Sequence, residues 1–424
     1  MKRISIIGAS IVASSIMVTT VSANEGLKPL SLTENVTSAM VVDATTGQIL
    51  ATKNVNKQGP IASQSKMLTA YAVLRGIHEG KIKWTDQVPI TKKSDLSRED
   101  GHLFSHLAVK AGDKLTVREL YNAVFAMSAN DASFALGEYM TPKGMSTQEA
   151  LQMWAKELHL TGSKWYNAAG QVNSNAFENQ IKTAPADAAN MASAEQLAIM
   201  AREILTLDPS IRELAKLDYI TYHLTPSYVV KEPTDQSVLR NEHLAKISNP
   251  NNLVFEGLKT GSTPESGAAF TGIIKDTNGH EFITVVNGAG DYMDEVQRYQ
   301  ITLNIVNDVL AEKVPISYQK NSTLPSNSTL NLKSMKKNHM PVTIAKTKTF
   351  WADKKTDLSI KTTVKSIKSK NIKKGQIVGS ANITSPDISY LPNTSSENKS
   401  IMLVAKQSTT RANWFVRSWR AIFQ

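Results

Sequence analysis

Three short motifs, far apart but in a fixed order, constrain this chain more than any other feature of its sequence. They are Ser63-Gln64-Ser65-Lys66, Ser128-Ala129-Asn130 and Lys259-Thr260-Gly261, about 60 and about 130 residues apart. Ser-x-x-Lys alone means little, because it also begins at Ser317, Ser334 and Ser396. Only Ser63 opens a predicted apolar helix, so its position rather than the bare pattern singles it out.

Hydrophobic periodicity predicts a mixed α/β domain over residues 24–313, in which the terminal strands share one antiparallel sheet flanked by helices. Strands are predicted at about 39–42, 48–51, 253–260, 268–275 and 281–287. Helices are predicted at 63–80, 117–127, 130–140, 147–158, 193–206 and 294–311. The first motif then starts a helix, the second lies between two helices, and the third lies on a strand.

The composition changes near residue 314. Residues 321–328 are rich in Ser, Asn, Thr and Pro, as in a linker or a loose loop. Short alternating segments follow at 342–345, 358–361 and 376–379. We therefore predict a small all-β domain over 314–405, with a role in spacing or recognition.

The last residues, 406–424, are predicted to form an amphipathic helix. At about 100° per residue, one stripe collects the side chains of Ala412, Phe415, Val416, Trp419, Ile422 and Phe423. Arg417 and Arg420 lie on the other side, as in helices that lie at a membrane surface. A helix packed on its own domain is the alternative. The terminal position and the aromatic residues favour the membrane.

The N-terminus is typical of a secretory signal. A basic start precedes an apolar stretch from Ile4 to about Val18, and Val21-Ser22-Ala23 offers small residues for cleavage. A membrane-spanning anchor is the alternative, but the stretch is short and interrupted by serines. We expect residues 1–23 to be removed and the protein to be exported to the outer face of the cytoplasmic membrane and the cell wall.

Composition and charge narrow the chemistry. The chain has no cysteine, which excludes thiol catalysis and thiolate metal sites, and its histidines form no His-Glu-x-x-His zinc motif. We expect no cofactor and no metal. The net charge of +11 is uneven: residues 314–424 hold 19 basic and 4 acidic residues, whereas 24–313 hold 27 and 33. For an exported chain, anionic lipid or wall polymer suits the basic region better than nucleic acid, and solvated surface lysines are the plain alternative.

Ser63 and Lys66 can form a pair of nucleophile and base. A serine in the first turn of a helix lies near unpaired backbone N–H groups, and a lysine three residues later shares its face. A lysine can accept the serine proton only if burial or a second cation lowers its pKa, and Lys259 is the candidate cation. For Ser63 alone, a helix N-cap is the simpler interpretation, and Ser65 is more typical of a packing or surface residue.

The other two motifs can complete such a site. In a tight turn between helices, Ser128 can relay a proton to a leaving amine and Asn130 can bind a peptide carbonyl, although both residue types also cap helices. Lys259 at a strand edge can meet the carboxylate of an extended peptide. A charged edge strand that ends in a turn is the alternative. Gly261 allows another backbone to come close.

Together, the motifs resemble those of the low-molecular-mass penicillin-binding proteins, the serine-type D-alanyl-D-alanine carboxypeptidases. The resemblance covers about 30–311 well. It includes the hairpin segments Val41-Val42-Asp43 and Thr46-Gly47-Gln48-Ile49-Leu50, and the motif segments Pro60-Ile61-Ala62-Ser63, Ser128-Ala129-Asn130-Asp131-Ala132 and Gly257-Leu258-Lys259-Thr260-Gly261-Ser262. The later β-rich region and terminal helix match the family in layout, with weaker motifs.

The resemblance implies a penicillin-binding or β-lactamase-like catalytic domain that removes the terminal D-alanine from peptidoglycan stem pentapeptides and is acylated by β-lactams. It further implies Ser63 as the nucleophile and Lys66 as the general base. Ser128 and Asn130 take part in proton relay and substrate binding. The backbone N–H groups of Ser63 and Ser262 form the oxyanion hole.

The third motif and its surroundings are implied to bind substrate. Lys259 supplies positive charge, and Thr260 and Ser262, on either side of Gly261, bind the terminal carboxylate. Arg298 resembles a family arginine that helps to hold this carboxylate. A solvated arginine on a helix is the alternative for Arg298.

Two other functions share the motifs. Class A β-lactamases need an acid that activates water for deacylation, but residues 161–176 contain no Asp or Glu, and Glu178 lies just beyond them. A non-catalytic penicillin-binding sensor keeps the pocket without turnover, but every proposed catalytic side chain is present here. The sequence therefore favours a carboxypeptidase that hydrolyses its peptide and releases β-lactams slowly.

Overall fold

A computed structural model describes residues 27–214, 217–234, 245–294, 296–325, 328–354, 360–365, 371–383, 387–395 and 399–423. The predicted signal, 1–23, lies outside the described residues, as do residues 358–359 of one predicted strand.

In these ranges the α-helices are α1 (Lys66–His78), α2 (Val117–Ala126), α3 (Asn130–Met140), α4 (Thr147–Glu157), α5 (Ala194–Leu207), α6 (Ile211–Leu214), α7 (Gln297–Glu312) and α8 (Trp414–Phe423). The earlier strands are β1 (Leu30–Ser31), β2 (Ser38–Asp43), β3 (Ile49–Lys53), β4 (Gly59–Pro60), β5 (Gln87–Pro89), β6 (Lys114–Thr116), β7 (Met191–Ala192), β8 (Tyr219–Thr225), β9 (Tyr228–Pro233), β10 (Val254–Thr263), β11 (Gly267–Lys275) and β12 (Glu281–Asn287). The later strands are β13 (Lys313–Tyr318), β14 (Thr329–Asn331), β15 (His339–Ile344), β16 (Lys348–Asp353), β17 (Ile360–Val364), β18 (Asn371–Ile372), β19 (Ile377–Ile383), β20 (Ile401–Ala405) and β21 (Thr409–Thr410).

A six-stranded sheet, in the order β1-β3-β2-β12-β11-β10, organises the chain up to α7. Strand β2 pairs antiparallel with β12, so that Val41 lies opposite Thr284 and the two ends of this region join. The prediction that the terminal strands share one sheet is confirmed. Strand β10, which carries the third motif, pairs with β11 alone among the described strands and is therefore an edge.

The sheet separates two apolar cores. Because successive side chains of a strand point to opposite faces, Met40 and Val42 pack with α1 to α5, whereas Val41 packs with α7. Helix α1 is buried along most of its length. The burial of α1 fixes the position of the segment before it, which carries Ser63.

Helix α1 begins at Lys66 and not at Ser63, where the hydrophobic pattern predicts its start. Residues Ala62–Ser65 form a 3₁₀ turn instead, and Ala62 has a φ of +44°. The spacing of apolar residues does not predict either feature. No side chain caps either the turn or the helix. The interpretation of Ser63 as a helix N-cap is therefore wrong.

Beyond α7 the chain forms a β-rich unit. A five-stranded sheet, β14-β15-β20-β19-β17, and the strand pair β13-β16 share one apolar core that includes Val342, Phe350 and Leu403. The predicted segments at 342–345 and 376–379 fall on β15 and β19, and β17 begins at Ile360 within the third.

Trp351 joins this β unit to the sheet of the first region. Its backbone exchanges two hydrogen bonds with the side-chain amide of Gln48, at 2.7 and 2.9 Å, and its indole N–H donates to Asp43 Oδ2 at 2.9 Å. Gln48 and Trp351 are both fully buried. The junction is therefore a packed interface with paired polar groups.

The terminal helix is shorter than predicted. Thr409–Thr410 pair with β18 as a strand, and α8 begins at Trp414, where the Asn413 side chain accepts a hydrogen bond from the Val416 N–H at 3.0 Å. Ala412, which belongs to the predicted stripe, is buried outside the helix. Within the described ranges, no helix is both long and apolar enough to cross a bilayer.

Candidate active site

A cleft of about 590 Å³ opens between the helices and the edge strand β10. Its lining includes every residue predicted for the site except Lys66, namely Ser63, Ser128, Asn130, Lys259, Thr260, Gly261, Ser262 and Arg298. Three motifs that are far apart in the sequence therefore meet at one place.

Two glycines allow the turn with Ser63 to be closely enclosed. A Cβ on Gly170 would lie 2.0 Å from the Ala62 carbonyl oxygen, and a Cβ on Gly261 would lie 2.8 Å from the Ile61 carbonyl oxygen. Gly170 also has a φ of +79°, in the left-handed region that favours glycine. Any side chain at either position would push a wall of the cleft away from Ser63.

Lys66, the first residue of α1, is completely buried and makes three hydrogen bonds. Its ammonium donates to Ser63 Oγ at 2.8 Å, to Asn130 Oδ1 at 2.9 Å and to the Ala169 carbonyl oxygen at 2.8 Å. Burial lowers the pKa of Lys66 well below its usual value, and the positive charge of Lys259 lowers it further. The lowered pKa favours the neutral amine, the form of Lys66 that can accept the proton of Ser63.

Ser128 lies in the short turn between α2 and α3. Its φ of +57° is uncommon for a residue other than glycine and turns the side chain into the cleft, where the Lys259 ammonium donates to Ser128 Oγ at 2.8 Å. Asn130 starts α3, and its backbone N–H donates to the Ser105 carbonyl at 2.8 Å. The second motif thus lies at the N-terminus of α3, where it contacts both the first and the third motif.

Arg298 is buried rather than solvated, with 4 % of its surface exposed. Its Nη1 donates to Ser262 Oγ at 2.5 Å and to the Gly261 carbonyl at 3.4 Å. The alternative of a solvated helix arginine is therefore wrong. Ser262 is exposed and Thr260 half-buried, so both hydroxyls are accessible from the cleft.

Several supporting groups have no counterpart among the sequence predictions. The side chain of Gln171 donates to Asn130 Oδ1 at 3.0 Å, and the carbonyl of Ala169 holds Lys66. Behind the turn, the buried amide of Gln64 accepts from Thr271 Oγ1 at 2.6 Å and donates to Asn287 Oδ1 at 3.0 Å. A backbone carbonyl carries no sequence signal, but the position of Gln64 inside the first motif could have drawn attention to it.

Asp131, directly after Asn130, is also completely buried. Its two carboxylate oxygens accept from the backbone N–H groups of Leu107 and Ala132, at 2.8 and 2.7 Å. Burial raises the pKa of Asp131 to about 7 despite these hydrogen bonds. Asp131 ties the start of α3 to the segment that forms one wall of the cleft.

The described lining of the cleft contains no carboxylate. Glu178, the acid nearest in sequence to the loop at Gly170, is exposed to solvent and lies outside this lining. Among its described residues the cleft therefore offers amines and hydroxyls, but no acid beside Ser63 to activate a water molecule.

The comparisons with known proteins agree with this geometry. A family model described as D-alanyl-D-alanine carboxypeptidase matches residues 25–291. The chain is 27 % identical over 272 residues to D-alanyl-D-alanine carboxypeptidase DacF of Bacillus subtilis, which covers 62 % of this chain and 60 % of that protein. It is 29 % identical over 293 residues to DacD of Escherichia coli, covering 68 % of this chain and 67 % of that one.

A solved structure extends the similarity beyond the matched region. The crystal structure of a peptidoglycan synthesis regulatory factor (PBP3) from Streptococcus pneumoniae superposes with a TM-score of 0.76 at 21 % identity, covering 89 % of this chain and all of that one. At this identity the similarity concerns the fold. It confirms the predicted fold class, a catalytic domain of the penicillin-binding type followed by a β-rich unit.

Proposed function

This chain belongs to the D-alanyl-D-alanine carboxypeptidase family, and we propose that it removes the terminal D-alanine from peptidoglycan stem pentapeptides through an acyl-serine intermediate. The observation that carries the proposal is the 2.8 Å hydrogen bond between Lys66 Nζ and Ser63 Oγ, with Lys66 fully buried and its pKa lowered. This pairing is what a serine needs to become a nucleophile at neutral pH.

In the proposed acylation, Lys66 takes the proton of Ser63 as Oγ attacks the carbonyl carbon of the penultimate D-alanine. The bond from Oγ to this carbon forms and the C–N bond to the terminal D-alanine breaks. Ser128, hydrogen-bonded to Lys259, passes a proton to the leaving amine and takes up in its place the proton that Lys66 accepted. Water then hydrolyses the acyl-serine and restores both groups.

The remaining site residues bind the substrate in this proposal. Thr260 and Ser262 receive the terminal carboxylate, and Arg298 orients Ser262 and adds positive charge. Asn130 binds a peptide carbonyl of the substrate. The backbone N–H groups of Ser63 and Ser262 stabilise the oxyanion that forms during attack.

A β-lactam resembles the scissile amide, so the same serine is proposed to be acylated by β-lactams. The absence of a carboxylate from the described lining of the cleft supports slow release of that adduct and argues against a class A β-lactamase. The presence of Ser63, Lys66 and Ser128 together at the cleft argues against a sensor that lacks catalytic side chains.

The decisive experiment measures release of D-alanine from a peptide that ends in Lys-D-Ala-D-Ala. We expect release by the native protein and none by Ser63→Ala. Labelling by a fluorescent penicillin without release would instead identify a sensor, and rapid turnover of the penicillin would identify a β-lactamase. Covalent labelling of Ser63→Ala would refute the assignment of the nucleophile.

The proposal extends to the layout of the chain. We propose a signal at 1–23, a catalytic domain at 24–313 and a β domain at 314–405, with the C-terminal helix attached to the outer surface of the cytoplasmic membrane. The exposed apolar side chains of α8 support this attachment. A chain truncated at about residue 408 should no longer sediment with membranes, and continued sedimentation would refute the attachment.

A further inference from the structure

We propose that a group of basic residues around the base of α8 binds anionic lipid headgroups, so that attachment depends on the charge of the bilayer. The proposal rests on the membrane attachment proposed above and extends it from the helix to the β unit. We call the group the basic collar; its members are Lys333, Lys336, Lys337, Lys373, Lys374 and Arg411, all of them exposed.

The first part of the collar is the turn between β14 and β15. It packs against the segment that leads into α8: Lys336 N–H donates to the Thr410 carbonyl at 2.8 Å, and Met335 forms a bridge with Arg411. The turn that carries three lysines therefore contacts the chain at residues 410–411, just before α8 begins.

The second part of the collar lies on the other side of the same segment. Strand β18 pairs with β21, placing Asn371 opposite Thr410, and Lys374 N–H donates to Ser408 Oγ at 3.0 Å. Because β21 has a lysine turn on each side, the chain enters α8 through the middle of the collar.

Helix α8 then lies along the first turn. The guanidinium of Arg420 donates to the Met335 carbonyl at 2.6 Å. Five large apolar side chains of α8 remain exposed, with 61 to 76 % of their surface accessible; they are Trp414, Phe415, Trp419, Ile422 and Phe423. A cationic ring and an uncovered aromatic stripe are thus parts of one surface.

The charge of this surface selects its partner. The three segments that build it, 331–339, 371–377 and 405–423, contain no acidic residue. Basic residues next to a membrane are attracted to anionic headgroups, and an aromatic stripe gains free energy only where it leaves water. A soluble anionic polymer can satisfy the collar but not the stripe. The combination therefore points to an anionic bilayer.

The topology supplies a matched control. Strands β15 and β20 run from one end of the β unit to the other, and the Ala345 N–H donates to the Met402 carbonyl, so the turn at Lys346 lies at the end opposite the collar. Five exposed lysines outside the collar allow the same loss of charge to be made elsewhere on the β unit; they are Lys320, Lys346, Lys354, Lys361 and Lys399.

The test compares three full-length variants with the native protein. In the collar variant, Lys333, Lys336, Lys337, Lys373 and Lys374 are each changed to Gln. In the control variant the five lysines outside the collar are changed to Gln, and in the helix variant Trp414, Phe415 and Trp419 are changed to Ser. Each is sedimented with vesicles of phosphatidylcholine alone or of equal phosphatidylcholine and phosphatidylglycerol, and labelling by fluorescent penicillin verifies folding of the catalytic domain.

We expect the native protein and the control variant to bind the anionic vesicles more tightly than the neutral ones, and the preference to weaken with added salt. The collar variant should lose at least about tenfold in affinity for anionic vesicles and little for neutral ones, since each basic residue near such a surface contributes. The helix variant should lose binding to both.

Equal binding of the collar and control variants to anionic vesicles would overturn the proposal. So would a collar variant that loses binding only to a soluble polyanion such as poly-glutamate, because that result identifies a wall polymer as the partner. If no form binds vesicles while all are labelled by penicillin, the collar and the membrane attachment both fail and the proposed catalysis stands.

Discussion

The ammonium of Lys259 lies 2.8 Å from the hydroxyl of Ser128, so that the edge strand and the turn between α2 and α3 hold each other across the cleft. The same charge helps to lower the pKa of Lys66 on the far side of that turn. Lys259 thus acts on two members of the proposed catalytic set: it holds Ser128 by a hydrogen bond and lowers the pKa of Lys66.

Replacing Lys259 with Met should move the pH dependence of acylation. Without this cation the pKa of Lys66 rises, so the increase in acylation rate with pH moves to higher pH, and at neutral pH the rate falls roughly tenfold or more. The measurement is the rate of labelling by fluorescent penicillin across pH. Lys259→Arg, which keeps the charge, should show the increase in labelling rate at the same pH as the native protein. An unshifted profile in Lys259→Met would show that Lys259 does not tune Lys66.

Gly170→Ala should disrupt the site as well as the backbone. The new Cβ would lie 2.0 Å from the Ala62 carbonyl, so the wall at residue 170 must move away from Ser63. We expect strong loss of penicillin labelling and a fall in the free energy of unfolding of more than about 1–2 kcal/mol. Gly80→Ala is the matched control, since Gly80 also has a positive φ, +69°, but nothing within 4 Å of the new Cβ. If both variants acylate alike, the packing at Gly170 is not what positions Ser63.

Asp131 should make the folded protein less stable as the pH rises. Its pKa is about 7 in the folded protein, above the ordinary aspartate value of 3.8, so the folded state binds more protons than the unfolded state between those limits. The stability that Asp131 contributes is complete below about pH 4 and is lost as the pH rises through about 7, with a slope of up to about 1.4 kcal/mol per pH unit. Unfolding in urea across this range should show a less negative slope for Asp131→Asn than for the native chain. Parallel curves would contradict the assignment.

Gln48→Ala should weaken the junction between the two regions and leave the cleft intact. The substitution removes the side-chain partners of the buried backbone N–H and C=O of Trp351. Each unsatisfied group costs about 1–3 kcal/mol in the free energy of unfolding. We expect a loss of that order in the free energy of unfolding, with an unchanged rate of penicillin labelling. Trp351→Phe, which removes the indole bond to Asp43 but keeps both bonds to Gln48, should cost less. A Gln48→Ala protein as stable as the native one would show that these bonds do not hold the junction.

The parts of the fold with strong periodicity could be predicted from the sequence. Helices α2 to α5 and strands β10 to β12 lie within a few residues of their expected limits, because each helix buries an apolar face and β11 and β12 are apolar and buried on both faces. The site motifs could be placed for the same reason: each lies at an end or an edge of such an element. The sequence also predicts the contact between Lys66 and Ser63, because residues three apart lie about one helical turn from each other.

Other features depend on contacts that leave no local pattern. The 3₁₀ turn at Ala62–Ser65 forms where two glycines from distant segments close around it. The hairpin of β8 and β9 escapes prediction because β9 has little buried surface, and the hairpin is held through Tyr222 Oη, which accepts from the Ala108 N–H at 3.0 Å and donates to Glu232 at 2.8 Å. The helix at the C-terminus starts late because Thr409–Thr410 find a strand partner.

The uncovered stripe of α8 has a practical consequence at the bench. Aromatic side chains such as Phe415 and Trp419, left in contact with water, will associate with any apolar surface on offer, including the same stripe on another molecule. A molar mass measured without detergent or lipid therefore reports on this helix rather than on the folded catalytic unit. The oligomeric state of the protein should be determined with α8 removed or with its stripe occupied by detergent.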